Sequence, residues 1–171
     1  MSKVNRGKDF ENVVLTAFEN LKDVSIDRLI DPMGGYKGVR NISDYIIYRK
    51  PYELYLECKT CYGNTLPFSN ITENQWIGML AKSGIDGCIA GVMIWFIDHN
   101  RTIFIPIQVL ETARILGLKS VNIKHLDEDV WDGNYYDIQG TKKRIFFEYD
   151  MNRFLNELED SYNEHLRKFT T

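Results

Sequence analysis

The sequence predicts an α/β fold built on a mixed central β-sheet flanked by helices. Three observations carry that prediction. Apolar residues recur at helical spacing near the start, at Phe10, Val13, Val14, Ala17, Phe18 and Leu21, giving one wide stripe. Two short alternating segments, Asp44 to Tyr48 and Glu53 to Lys59, meet at a turn. A continuous apolar run, Cys88 to Ile97, has the length of a fully buried strand.

The elements follow in order. Asn5 can cap the first helix, because its side-chain oxygen reaches a free N–H one turn in. Glu11 sits at the edge of that helix's apolar stripe. It can therefore point toward a site beside the core, although an ordinary solvated first-turn Glu fits equally. Val24 to Ile30 partly alternates and reads as a strand. Asp31 to Asn41 is a glycine-rich, partly basic loop, without the Gly-Lys-Ser/Thr ending that an NTP-cradling loop needs.

The strands 44–48 and 53–59 are joined at Arg49-Lys50-Pro51, where proline fixes φ and cannot donate to a ladder. Side chains alternate across a strand, so Leu54, Leu56 and Cys58 share one face while Glu57 and Lys59 share the other. Cys61 to Asn70 is a loop. Thr72 with Gln75 three residues later forms a capping box opening the next helix, which carries Trp76, Met79 and Leu80 and ends at the glycines 84 and 87.

After the buried strand, Asp98-His99-Asn100 turns into a strand from Thr102 to Ile107. So short a turn makes that pair antiparallel. Val109, Leu110, Ala113 and Leu116 mark a helix ending at Gly117. Residues 118–140 carry no clear period. Ile145 to Tyr149 reads as an edge strand, and Asn152 to Arg167 as a last helix with Phe154, Leu155, Leu158 and Tyr162 on its apolar side. A single domain over residues 1–171 is the expectation, with a C-terminal extension from about residue 118.

Composition narrows the function. Hydrophobic residues make up 44% and charged residues 26%, which supports a core and argues against disorder. No apolar run reaches the ~20 residues of a membrane span, and Met1 to Glu11 has no signal-peptide core. A cytoplasmic protein is expected. The net charge is −3, so any nucleic-acid surface must be local. The candidates are Arg6, Lys8, Lys37, Arg40, Arg49 and Lys50. Acidic residues gather instead at Asp127, Glu128, Asp129 and Asp132. Cys58 and Cys61 are spaced as C-x-x-C, but no second Cys or His pair accompanies them, and Cys58 lies on the apolar strand face.

The chemistry-bearing candidates are Asp44, Glu57 and Lys59. Two carboxylates can hold Mg²⁺, which prefers oxygen ligands and keeps several waters. A bound cation lowers the pKa of its water, and an ammonium can orient that water or stabilise charge on a phosphate. Those parts suffice for metal-assisted phosphodiester hydrolysis. A surface hairpin with a salt bridge fits the same spacing.

Four segments in sequence resemble the RecU Holliday-junction resolvases: Asn5-Arg6-Gly7-Lys8-Asp9-Phe10-Glu11, Ser43-Asp44-Tyr45, Leu56-Glu57-Cys58-Lys59-Thr60, and Leu66-Pro67-Phe68-Ser69-Asn70-Ile71 with Gln75. The layout is similar to the restriction-endonuclease-like PD-(D/E)xK core. The resemblance implies that Asp44 and Glu57 hold Mg²⁺, or Mn²⁺ as a substitute, with the backbone carbonyl of Cys58 as a further ligand. It implies that Lys59 assists the attacking water, that Glu11 supports the site from the first helix, and that Gln75 lies at its rim. Arg6, Lys8, Lys37 and Arg40 would meet the DNA backbone. A homodimer nicking four-way junctions is the implied assembly and reaction. The chain departs from the family where a long basic stalk would stand, since only Asp31 to Asn41 occupies that place. A nuclease of the same fold with another DNA target, and a DNA-structure-binding accessory protein with a vestigial site, are the alternatives.

Overall fold

The computed structural model describes residues 5–30 and 41–170, with side chains described up to residue 164. Helix α1 (Arg6–Glu19) is followed by β1 (Ser25–Arg28), β2 (Tyr45–Arg49), β3 (Tyr52–Cys61) and the short β4 (Thr65–Pro67). Then come α2 (Glu73–Ser83), β5 (Cys88–Phe96), β6 (Arg101–Pro106) and α3 (Ile107–Ile115). The C-terminal third adds β7 (Ser120–Asn122), β8 (Tyr136–Asp137), β9 (Gly140–Lys142), β10 (Phe147–Tyr149) and α4 (Met151–Thr170).

Six strands form one mixed sheet in the order β1-β2-β3-β5-β6-β8. Its first three strands are an antiparallel meander. β3 and β5 then run parallel, with Glu57 opposite Val92 and Lys59 opposite Ile94. Parallel neighbours need a crossover, and α2 supplies it. β5 and β6 are antiparallel, as the short turn requires. That turn places Asn100 in the left-handed region at φ 47°.

Both faces of the sheet are covered. On one, Tyr55, Val92, Ile94, Phe96, Ile103 and Ile105 pack with Trp76 and Met79 of α2 and Leu110 of α3. On the other, Leu54, Leu56, Cys58, Met93, Trp95 and Phe104 pack with Phe10, Val14 and Phe18 of α1 and Phe154, Leu155 and Leu158 of α4. The strict alternation along β3 is therefore read by two cores. Gly91 lies at the centre, where a Cβ would come within 2.5 Å of both the Ile105 carbonyl oxygen and the Phe104 ring.

The structure corrects several expectations. Phe147–Tyr149 is no edge of the main sheet; it pairs with Gly140–Lys142 in a separate hairpin. The edge beyond β6 is β8, whose Asp137 takes a two-pronged bond from Arg101 at 2.7 and 2.9 Å. β1 ends at Arg28, and Ile30 is exposed. Leu116 caps α3 with its side chain exposed, because the apolar side of that helix is Ile107, Leu110 and Ala113. Cys58 and Cys61 are an odd number of positions apart, so they belong to opposite cores and cannot form a redox pair or share a zinc ion.

Arg49 is no candidate for DNA either. It is buried, and its guanidinium bonds Glu159 at 2.8 Å, Asn152 at 3.0 Å and Asn156 at 2.7 Å, all on α4. Residues beyond 118 thus contribute to both cores and bind the central meander directly.

Candidate active site

The site forms where β2 begins and β3 continues past it. Asp44 immediately precedes β2; its N–H donates to the Leu56 carbonyl at 3.1 Å, and its own carbonyl accepts from Leu29 N–H at 2.8 Å. Bonds on both sides fix its backbone. Ile46 packs on the α2 side of the sheet and Tyr45 on the α1 side, so alternation puts the Asp44 side chain on the α2 side with Glu57 and Lys59.

The distances within that cluster are short. Asp44 Oδ2 accepts the Cys58 backbone N–H at 2.8 Å. Lys59 Nζ donates to Glu57 Oε1 at 2.6 Å. Gln75 Nε2 donates to the same oxygen at 2.7 Å. Gln75 also completes the capping box of α2: its Oε1 accepts Thr72 N–H, and Thr72 Oγ1 accepts Gln75 N–H. Its amide has two ends, so it serves the helix terminus with one and the carboxylate with the other.

Glu57 is only 2% exposed, so the surface-hairpin reading fails. Its Oε2 is buried with no hydrogen-bond partner. A buried carboxylate oxygen left without a partner is costly. Burial pushes the Glu57 carboxyl up to about 7, with repulsion from Asp44 adding to it and Lys59 opposing. Burial likewise raises Asp44 to about 6, against the stabilising bond from Cys58 N–H. The two carboxyls sense each other across the cluster.

Glu11 lies on the opposite side of β2. Its carboxylate pairs with Arg28 at 2.6 Å, and its backbone carbonyl accepts Tyr45 Oη–H at 2.9 Å. It still adds to the upward push on Asp44, which Arg28 and Lys59 oppose. Sequence reasoning passed over Arg28. The signal was the register: Arg28 stands opposite Tyr45, one residue from Asp44, and a register between strands separated by a loop is not written in either strand alone.

Of the expected DNA-binding cations, Arg6 stacks over the Phe146 ring at 5.6 Å and Lys8 is exposed. Lys37 and Arg40 lie outside the described residues. Among the described residues, no three His, Cys, Asp or Glu side chains are grouped to hold a metal. A pair of carboxylates suits a cation that retains much of its water shell, as Mg²⁺ does. For such a cation the orphaned Glu57 Oε2 would be an available oxygen donor, and its positive charge would relieve both raised carboxyls.

No protein-family model matches the chain. No curated protein matches it. Among solved structures, it is similar to a Holliday junction resolvase from the archaeal hyperthermophile Archaeoglobus fulgidus. The TM-score is 0.44 and the identity 16%, over 61% of this chain and 75% of that one. Among the described residues, no helix is long and apolar enough to cross a membrane.

Proposed function

We propose that the chain is a Mg²⁺-dependent endodeoxyribonuclease acting on branched DNA, as a homodimeric resolvase of the RecU type. The observation that carries the chemistry is the pairing of Asp44 and Glu57 on one sheet face with Lys59, while one Glu57 oxygen stays buried and unpartnered. The branched substrate and the dimer rest on the four segments that resemble RecU.

Asp44 and Glu57 would hold the cation, with the Cys58 carbonyl as a further donor; when bound, it supplies Lewis acidity and a water of lowered pKa. Lys59 presents an ammonium beside Glu57, where it orients a nucleophilic water or meets charge building on the phosphate. Gln75 fixes the rotamer of Glu57. Glu11, paired with Arg28, acts on Asp44 as a like charge, a repulsion that a bound cation would offset.

The test is cleavage of a synthetic four-way junction with Mg²⁺, Mn²⁺ or Ca²⁺, beside flap and linear duplex controls. Junction nicking that disappears in Asp44→Asn, Glu57→Gln and Lys59→Ala supports the reading. No cleavage of any of these DNAs, or cleavage that the three variants leave intact, refutes it.

A further inference from the structure

We propose that the tip of the β9–β10 hairpin, Lys142, Lys143 and Arg144, is a second DNA-gripping element that holds a duplex arm of the substrate on the α1 side of the sheet. The inference rests on the nuclease reading above and adds a surface that reading does not contain.

In a chain of net charge −3, the hairpin sets three cations in succession, and all three are exposed. Clusters of Lys and Arg neutralise phosphates and release condensed counterions, which supplies sequence-independent affinity for DNA. The acid nearest in the ribbon is Glu148. Its ion pair with Lys143, at 2.6 Å, is more than half exposed on both sides. Such a pair is worth little and yields readily to a phosphate.

The tip is held in a fixed place. Lys143 N–H closes the turn onto the Phe146 carbonyl at 2.8 Å. Gly140 lets the two strands approach, since a Cβ there would meet the Glu148 carbonyl oxygen at 2.7 Å. Phe146 is seated between Trp95 at 5.6 Å and the Arg6 guanidinium at 5.6 Å. A preorganised surface loses little entropy on binding.

The same packing leads to α1 and to the back of the strand that carries the site. Arg6, half-buried and 4.0 Å from the Asp9 carboxylate, belongs to the N-terminal turn of α1, where Lys8 is exposed. Gly7 in that turn faces Thr60, with a Cβ 3.9 Å from Thr60 Oγ1. Thr60 directly follows Lys59. The hairpin and α1 therefore set five cations, Arg6, Lys8, Lys142, Lys143 and Arg144, on the α1 side of the sheet, behind the strand whose other face carries Glu57 and Lys59.

The experiment measures binding of a fluorescent four-way junction by anisotropy in Ca²⁺, across a salt series from about 50 to 200 mM. It compares the wild-type chain with Lys142→Ser/Lys143→Ser/Arg144→Ser, and with Arg144→Glu alone as a milder probe on the exposed turn. Affinity is expected to fall roughly tenfold or more in the triple variant. The slope of log affinity against log salt should shrink by about two to three, nearly one for each phosphate no longer neutralised. Single-turnover cleavage at saturating protein should stay within about threefold, because the cations do not touch the reacting atoms. A wild-type chain that binds DNA, with both variants matching its affinity and slope, overturns the hairpin assignment and leaves the nuclease reading standing. A wild-type chain that binds no DNA overturns both.

Discussion

The side-chain amide of Gln75 donates to Glu57 Oε1 at 2.7 Å while its carbonyl oxygen closes the capping box of α2 on Thr72. One residue thus ties the start of a helix to a buried carboxylate. Gln75→Ala should lose about 1 kcal/mol of stability from the cap and lower cleavage about 10- to 100-fold, as losing a partner that orients a ligand does. Thr72→Ala removes the cap but keeps the amide near Glu57, so its stability loss should match while its cleavage loss is smaller. Equal losses of activity in the two variants would show that only the helix end matters.

Asp44 and Glu57 carry carboxyls raised to about 6 and about 7. A carboxyl raised on folding favours the fold while it is protonated. Its contribution is complete below the unfolded value, near 4, and is lost as pH rises through the folded value. In chelator, the unfolding midpoint should therefore fall between about pH 4 and pH 7 more steeply for wild type than for Asp44→Asn. Mg²⁺ should restore the wild-type midpoint at the upper end and leave the variant unmoved. Parallel pH profiles for the two proteins would contradict the coupling.

Arg49 holds Glu159, Asn152 and Asn156 together at the start of α4. Arg49→Met leaves Glu159 without its cation and should cost about 2–3 kcal/mol, below the range for fully buried pairs because Glu159 keeps some exposure. Arg49→Lys keeps the charge but loses the fork, and should recover only part of that stability. Urea unfolding reads both. DNA affinity should not change in either variant while the protein is folded.

Gly78 is pressed by Ile42, whose Cγ2 would lie 2.1 Å from an added Cβ. Gly78→Ala forces Ile42 aside, two residues before Asp44, at a cost of about 1–3 kcal/mol. Cleavage should fall with it. Ile42→Ala alongside Gly78→Ala should return both stability and activity toward wild type, a coupling that a double-mutant cycle measures.

The first two-thirds of the chain was legible because its elements carry local signals. The cap at Asn5, the Thr72–Gln75 box and the uninterrupted run of β5 each write their own boundary, and alternation alone sorted Glu57 and Lys59 from Leu56 and Cys58. What stayed hidden depends on partners remote in sequence. Arg49 looked like a surface cation because the asparagines and glutamate that engage it are more than a hundred positions away. Phe147 to Tyr149 looked like a sheet edge because period alone does not say which strand it pairs with. The burial of Glu57 was equally invisible, since the helix that covers it follows sixteen residues later.

The last helix closes the α1 core, with Phe154, Leu155 and Leu158 against the same cluster as Phe10, Val14 and Phe18. During synthesis, the part of that sheet face around Phe104 therefore stays open until the residues near 158 leave the ribosome. A nascent chain cut short before that helix exposes an oily surface that chaperones and proteases would treat as unfinished.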